Sequence, residues 1–444
     1  MKIKPVLFAF IILGVLFCAG ARTAFAEELV LTVDAAARMA LDNNLGLQRA
    51  ALNTATLRRV SDRSWNGLLP SVSAGAMVSR PTSITDPIPP LQDVWTPGFS
   101  MSAALTLSPA TIGNIKRAQA DYAAGILSYE AARQELELNV RRLFYQILLL
   151  DANRELAARN LASAQSRYEQ SATLASVGQL SLLDELMARV DMENLRPMLR
   201  QAEILYENAL DTLKVILGLP ADVELRLDGN LSREIAAPDD VDFAAMRVQP
   251  QESLETAILR ESIRSMQAQR NAIRNSVYIP SLRLAWNSTP LFINTPAGRN
   301  WNDVGGSLAI SLGLSLDSFL PWSAATTQVQ AINDAILSTQ MQLSDSLRNR
   351  DNRLTQSIRT IERILESREA MILNVELAET SYEMFTDAFM RGVVDYQSLL
   401  NARNGLEQAE NRLLQEQFNL ISAILDLERE LNIPFGTLHY FRGE

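Results

Sequence analysis

The chain repeats itself, and this duplication restricts its fold more than any other feature of the sequence. Residues 168–220 overlay residues 382–434 without a gap, with identical residues at 13 of 53 positions. Unrelated sequences of ordinary composition would match at roughly three or four positions. Residues 69–72 overlay residues 279–282 in the same way. Two copies of one structural plan are therefore expected, although two generic helical segments could also match by chance.

The duplication divides the sequence into segments. We predict a first structural repeat at residues 27–220 and a second at residues 251–434. Between them, residues 221–250 contain Pro238 followed by two aspartates and are typical of a linker. Residues 435–444 form a C-terminal tail.

The N-terminus has the features of an export signal at residues 1–26. Two lysines precede an uncharged apolar run at residues 6–20, and Ala24-Phe25-Ala26 offers small residues at a cleavage site. The run is shorter than the roughly 20 residues of a spanning helix, which favours cleavage over a retained anchor. Phe17 is bulky where a lipoprotein signal has a small residue before its cysteine, so acylation of Cys18 is not expected.

Each repeat alternates helical and extended patterns. Residues 33–66 predict a helix that Asp34 could cap, and residues 109–175 predict a helix about 100 Å long, which must lie along its neighbours. Loops rich in proline, aspartate and asparagine are expected at residues 80–96 and 288–303. Four segments alternate apolar and polar residues with a period of two, which predicts strands: about 71–79, 98–107, 281–288 and 304–316.

The predicted strands have the length and pattern of tilted membrane-crossing strands, apolar on one side and small or polar on the other. Four strands cannot close a barrel, and open edges in hydrocarbon would leave amides unpaired at several kcal/mol each. Strands pooled from three chains would number twelve, enough for a water-filled lumen. A small soluble sheet with one wet face would explain the same alternation.

The composition argues against several classes of function. A net charge of −10 provides no basic surface for nucleic acid. One histidine, His439, and one cysteine, Cys18, cannot form a zinc site or a histidine-based nucleophile. We therefore expect no enzyme activity, no metal and no cofactor.

The sequence resembles the TolC-like outer-membrane efflux protein family across essentially the whole mature chain. The resemblance rests on Leu-Thr-Val-Asp-Ala-Ala-Ala at residues 31–37, on Leu-Pro-Ser or Ile-Pro-Ser before the first strand of each repeat, and on the spaced Tyr, Gly, Leu, Ala and Pro residues of the duplicated segments. It implies a mainly α-helical homotrimer with a membrane β part. Each protomer would give four strands to a twelve-stranded β-barrel in the outer-membrane lipid, continuous with a long periplasmic α-helical coiled-coil barrel.

The same resemblance implies a function and partners. The protein would be the passive exit duct of a tripartite efflux or type I secretion system in a Gram-negative cell. It would dock to a periplasmic membrane-fusion (adaptor) protein and, through it, to a proton-driven or ATP-driven inner-membrane pump. An exported coiled-coil scaffold or adaptor that never enters the membrane is the alternative. The sequence does not identify the cargo or the pump.

Two glycines, Gly178 and Gly392, interrupt the long helices and supply the backbone freedom of a tight turn. In the family such turns form the periplasmic end that meets the adaptor. The resemblance therefore implies adaptor contacts at six residues: Val177, Gly178, Gln179, Arg391, Gly392 and Val393.

Well-known relatives carry two acidic residues that ring this narrow end and bind cations. The matching positions here, counted from Gly392, are Ser398 and Asn401, neither of which is acidic. In the first repeat Asp184 occupies the position equivalent to Ser398. Asp184, Ser398 and Asn401 are therefore a candidate pore constriction, although a solvated aspartate on a helix face would look the same.

Overall fold

A computed structural model of the protein describes residues 29–80, 82, 95–229, 231, 253–295, 298–302 and 305–438. The expected signal at residues 1–26, most of the linker at 221–250 and the end of the tail at 435–444 lie outside these residues and stay predictions. Most of the loop expected at 80–96 lies outside them as well.

The described part of the chain is mostly helical. Its helices are α1 (Val33–Asn43), α2 (Leu45–Asp62), α3 (Pro109–Ser176), α4 (Leu182–Leu217), α5 (Leu254–Tyr278), α6 (Ala324–Met390) and α7 (Tyr396–Leu431). Its strands are β1 (Leu29–Leu31), β2 (Ser71–Ser79), β3 (Thr96–Leu107), β4 (Leu225–Leu227), β5 (Ser281–Ser288), β6 (Leu291–Thr295), β7 (Gly298–Asn302) and β8 (Ser307–Gly313). Among the described residues, no helix combines the length and apolarity that a membrane span requires.

The helix predicted at residues 33–66 is in fact two helices. Asn44 separates α1 from α2 with an extended backbone, and its side-chain oxygen accepts hydrogen bonds from the amides of Gly46 (2.8 Å) and Leu47 (3.1 Å). Thr32, not Asp34, is the N-cap of α1. Asp34 instead lies 2.8 Å from the guanidinium of Arg141. An asparagine can stop one helix and cap the next, a local preference that apolar periodicity does not reveal.

The segment expected to be a loop at residues 288–303 contains an additional hairpin, β6–β7, which follows β5. Its first strand reads Leu-Phe-Ile-Asn-Thr, residues with strand propensity that the prediction overlooked. The strand expected at 304–316 is shorter: β8 ends at Gly313, and the apolar alternation continues into a 3₁₀ turn at Leu316–Phe319.

The main sheet has the strand order β2–β3–β5–β8, with every neighbouring pair antiparallel. The helices that adjoin these strands in sequence lie side by side in the same order, α2–α3–α5–α6. Farther from the sheet, α4 takes the place of α2 and α7 takes the place of α5, which gives the order α4–α3–α7–α6. The main sheet and the long helices therefore form a single layer of neighbouring elements, with one adjoining helix for each of the four strands.

The largest apolar core lies midway along the helices. There α1, the parallel pair β1–β4 and residues 433–438 pack on one side of α3 and α7. Glu428 of α7 accepts hydrogen bonds from the amides of Gly436 and Leu438, both at 3.0 Å. Burial raises the pKa of this carboxyl group. This added layer, which we call the equatorial layer, includes β4 from the start of the segment predicted to be a linker.

Candidate functional site: a two-faced sheet and two hairpin tips

The register of the sheet brings the apolar residues of its strands to one face. Cross-strand partners on this face are Val72 and Ala103, Leu105 and Leu284, Leu284 and Ile310, and Leu282 and Leu312. Serine dominates the other face, where the hydroxyls of Ser73 and Ser102 lie 2.7 Å apart and Ser71 donates to the carbonyl of Ala104 at 3.1 Å. The sheet is therefore amphipathic across its whole width.

The apolar face is exposed. The exposed fractions are 74% for Val72, 71% for Ile310 and 73% for Leu312. A continuous exposed apolar patch of this kind marks a surface for lipid or for another protein. The serine-rich face is suited to contact with water. The sheet can therefore separate an apolar environment on one side from water on the other.

Gly178 and Gly392 end α3 and α6 with left-handed φ angles of 75° and 70°. Both turns have the same hydrogen bonds: Gln179 donates to the carbonyl of Leu174, and Val393 donates to that of Ala388, each at 2.9 Å. This is the glycine-terminated Schellman pattern. The prediction of two glycine turns is confirmed.

At the tips of these hairpins, apolar and charged side chains project into solvent. Val177 is 64% exposed and Val393 is 74% exposed, while Arg391 lies 3.5 Å from Asp387 in an exposed ion pair. The two tips thus present similar short surfaces. Their contact with an adaptor remains a prediction.

The residues of the candidate constriction lie on separate hairpins, and two of them belong to helix caps. The Ser181 hydroxyl donates to the Asp184 carboxylate (2.6 Å) and accepts from the Asp184 amide (3.1 Å) at the start of α4. In the second repeat the serine and the aspartate change places. Asp395 is the N-cap of α7, and its carboxylate accepts a hydrogen bond from the Ser398 amide at 2.9 Å. The Ser398 hydroxyl and amide lower the pKa of Asp395. Asn401 accepts from Gln397 at 3.1 Å.

Sequence reasoning missed a buried polar cluster where the four longest helices meet. Asp191 of α4 accepts hydrogen bonds from Arg403 and from the Tyr396 hydroxyl (3.1 Å), both on α7. Arg167 of α3 lies 3.9 Å from the same carboxylate oxygen and donates to the hydroxyl of Tyr382 on α6. Burial and the nearby negative charge of Asp191 raise the pKa of Tyr396 to about 12. The cluster ties the two hairpins together near their tips.

The duplication could not identify this cluster. Arg403 and its counterpart Arg189 are identical, yet Arg403 is buried and Arg189 is exposed. The position equivalent to Asp191 is Gly405. The two repeats therefore share a plan but differ in the contacts that join them.

Comparison with known proteins gives a partial match to one family and several similar folds. The model of the outer membrane efflux protein family matches residues 36–219, and no curated protein matches the chain in sequence. The fold is shared with the CmeC outer membrane channel of Campylobacter jejuni, at 16% identity and a TM-score of 0.73, over 90% of this chain and 85% of that chain. It is also shared with the outer membrane protein VceC of Vibrio cholerae, at 14% identity and a TM-score of 0.69, over 91% of this chain and 96% of that chain. The open state of the MtrE outer membrane channel of Neisseria gonorrhoeae matches at 17% identity and a TM-score of 0.70, over 90% of this chain and 89% of that chain.

Residues 36–219, less than half of the chain, match the outer membrane efflux protein family. Together with the shared fold, this match supports an outer-membrane efflux duct with a large periplasmic part. The resemblance found in the sequence is confirmed, and the alternative of a scaffold or adaptor that stays outside the membrane is not favoured.

Proposed function

We propose that three copies of this chain close one twelve-stranded barrel in the outer membrane and that the long helices continue it as a passive export duct. The observation that carries this proposal is the sheet with two open edges. Among the described residues, β2 pairs only with β3 and β8 pairs only with β5. Unpaired edges are not tolerated in hydrocarbon, so each edge needs a strand from another copy.

The strand directions support closure into a ring. All neighbouring strands are antiparallel, so the β8 edge of one copy runs antiparallel to the β2 edge of the next copy. Such a head-to-tail contact repeats around an axis and leaves no free edge when the ring closes.

The helical layer has matching open edges. On α4, at one edge, Leu182, Leu186 and Val190 are exposed and lie on one helix face, since they are four residues apart. On α6, at the opposite edge, Leu377 and Met384 are exposed and seven residues apart. Contact between α4 of one copy and α6 of the next would bury both apolar stripes and continue the barrel as a helical tunnel.

We further propose that the two tips are the docking surface of a periplasmic adaptor, which links the duct to an inner-membrane pump. Substitution of Val177 and Val393 tests this docking surface most directly, because both side chains are exposed and neither supports the fold. The variant with Val177→Asp and Val393→Asp should keep its trimer but lose adaptor binding in a pull-down. Arg133→Asp, an exposed change beside the equatorial layer, should bind normally. Normal binding by the tip variant would contradict the docking proposal.

Asp184 is proposed to narrow the periplasmic end as a ring of three carboxylates. Reconstituted Asp184→Ala channels should then show weaker cation selectivity and weaker block by divalent cations. Unchanged selectivity and block would remove Asp184 from the constriction and leave it only its capping contact with Ser181.

The duct itself is tested by reconstituting detergent-extracted protein into planar bilayers. The proposal predicts steady, water-filled conductance without an energy source. A correctly assembled protein that never conducts would contradict it.

A further inference from the structure

One face of the helices is open at the level of the equatorial layer, and its polar residues form a continuous stripe. On α3 the only exposed residues between positions 135 and 149 are Glu135, Asn139 and Gln146, with Arg142 partly exposed among them. Their spacing of four, three and four places them on a single helix face. The equatorial layer and the neighbouring helices cover the remaining faces of α3.

The neighbouring helix α7 has the same arrangement. Between positions 419 and 431 the only residues that are not buried are Asn419, Ser422, Asp426 and Arg429. These are polar and follow one another at steps of three, four and three. Arg142 of α3 lies 2.7 Å from Asp426 of α7, so the two stripes face the same side.

This side is opposite the equatorial layer. Phe435 of that layer lies with Arg133 around one groove. Arg133 is nine residues from Arg142, half a turn away around α3 at 100° per residue. In the proposed duct an extra layer on the inner side would fill the lumen, so the covered side would face outward and the polar stripe would face inward.

The inner side carries a groove of about 600 Å³ between α6 and α7. Four arginines line it, and two acidic residues accompany them: Arg142, Arg353, Arg363, Arg429, Asp426 and Glu430. The side chains of the four arginines are between 31% and 56% exposed. The lining alone therefore has four positive and two negative charges, in contrast to the net charge of −10 for the whole chain. Three more carboxylates, those of Glu135, Glu255 and Glu416, contact these arginines from outside the lining.

Each of these arginines has an acidic neighbour, and two of them have several: Arg353 contacts Glu255 and Glu430, and Arg429 contacts Glu135, Asp426 and Glu430. Arg142 contacts Asp426 through one nitrogen, and Arg363 contacts Glu416 at 3.2 Å through one nitrogen. A guanidinium has five N–H donors in a fork that matches carboxylate and phosphate groups. Arg142 and Arg363 therefore keep further donors for a ligand in the groove.

We infer that this groove lies on the inner wall of the duct and that its arginines form a collar that attracts and binds small multivalent anions. This inference rests on the proposed trimeric duct, in which the groove would occur three times around the lumen. The collar would raise the local concentration of anionic solutes relative to a purely acidic wall. It is a specificity element for cargo that carries carboxylate or phosphate groups.

Cysteine accessibility tests the position of the groove. Cys18, in the expected signal, is the only natural cysteine, so single-cysteine variants are clean reporters. In reconstituted channels, an anionic methanethiosulfonate reagent should lower the conductance of Arg142→Cys and leave that of Arg133→Cys unchanged. The reverse pattern, or no effect on Arg142→Cys after labelling is verified by mass, would overturn the inference.

Inorganic tripolyphosphate tests the chemistry. It should reduce the conductance of the natural channel in a concentration-dependent way, and the variant with Arg142→Gln and Arg363→Gln should need roughly ten-fold more of it. Arg133→Gln should respond like the natural channel. Equal sensitivity of all three would contradict the collar, and if the double variant does not assemble, Arg363→Gln alone provides the comparison. Failure of the natural protein to conduct would instead count against the proposed duct.

Discussion

Asp191 is the residue on which the junction of the two hairpins depends. It is one buried carboxylate that faces two buried guanidiniums, those of Arg167 and Arg403. Removing one partner of a buried ion pair leaves uncompensated charge and costs about 3–5 kcal/mol. Asp191→Ala should therefore lower the denaturant midpoint markedly.

The matched control is Glu193→Ala on the same helix. Glu193 forms an exposed pair with Arg196 at 3.4 Å, and such pairs contribute about 0–1 kcal/mol. Equal effects of the two substitutions would show that the buried cluster does not hold the hairpins together.

Asp395 makes a pH-dependent contribution at the second tip. Its pKa in the folded protein is lowered from 3.8, because the Ser398 hydroxyl and amide donate to the carboxylate. The stabilisation is therefore present above pH 3.8 and is lost as the pH falls through the lowered pKa. Thermal unfolding from pH 7 to pH 2 should show Asp395→Ala less stable than the natural protein at neutral pH and equal to it at the acidic end. A difference that persists unchanged at pH 2 would contradict this account.

At the scale of the secondary-structure element, the two glycine turns require a positive φ angle, whereas there is room for a larger side chain. A Cβ atom at Gly392 would meet nothing within 4 Å, but φ is +70°. Gly392→Ala should therefore destabilise the protein by about 1–2 kcal/mol. Gly405, within α7, also has open space around it, and there alanine should stabilise by about 0.5–1 kcal/mol. Opposite signs in the two melting shifts support the turn assignment, and two stabilising shifts would contradict it.

The sequence predicted the long elements well and the short ones poorly. The helix predicted at residues 109–175 corresponds to α3, Pro109–Ser176, because apolar periodicity over many turns is a strong signal. The pairing of β1 with β4 joins three-residue strands almost 200 residues apart, for which periodicity has no signal. The break at Asn44 depends on a single capping residue, which apolar patterns ignore. The hairpin β6–β7 was overlooked although the residues of its first strand have strand propensity.

The candidate site shows the same division. The glycine turns were predictable, since only a few residue types adopt positive φ readily. The Asp191 cluster was not, because it joins four helices and depends on which face of each helix meets the others. Sequence alone gives the spacing of those residues along each helix but not the order α4–α3–α7–α6.

At the scale of the whole molecule, the two faces of the sheet should respond in opposite ways to charge. Ile310 is on the apolar face, and Ser311, its neighbour in β8, is on the polar face. An arginine facing lipid costs about 2–4 kcal/mol at mid-membrane, whereas one facing a lumen is tolerated. Ile310→Arg should reduce the amount of protein recovered in the outer membrane, and Ser311→Arg should not. Equal recovery of both variants would mean that the apolar face does not meet lipid.

The central claim is that one copy has too few strands to seal itself, so that copies share a barrel. Native mass spectrometry of the protein extracted from outer membranes in mild detergent tests this most directly. The account predicts a complex of three chains, with detergent required for solubility. A single chain that is stable in buffer without detergent would contradict it.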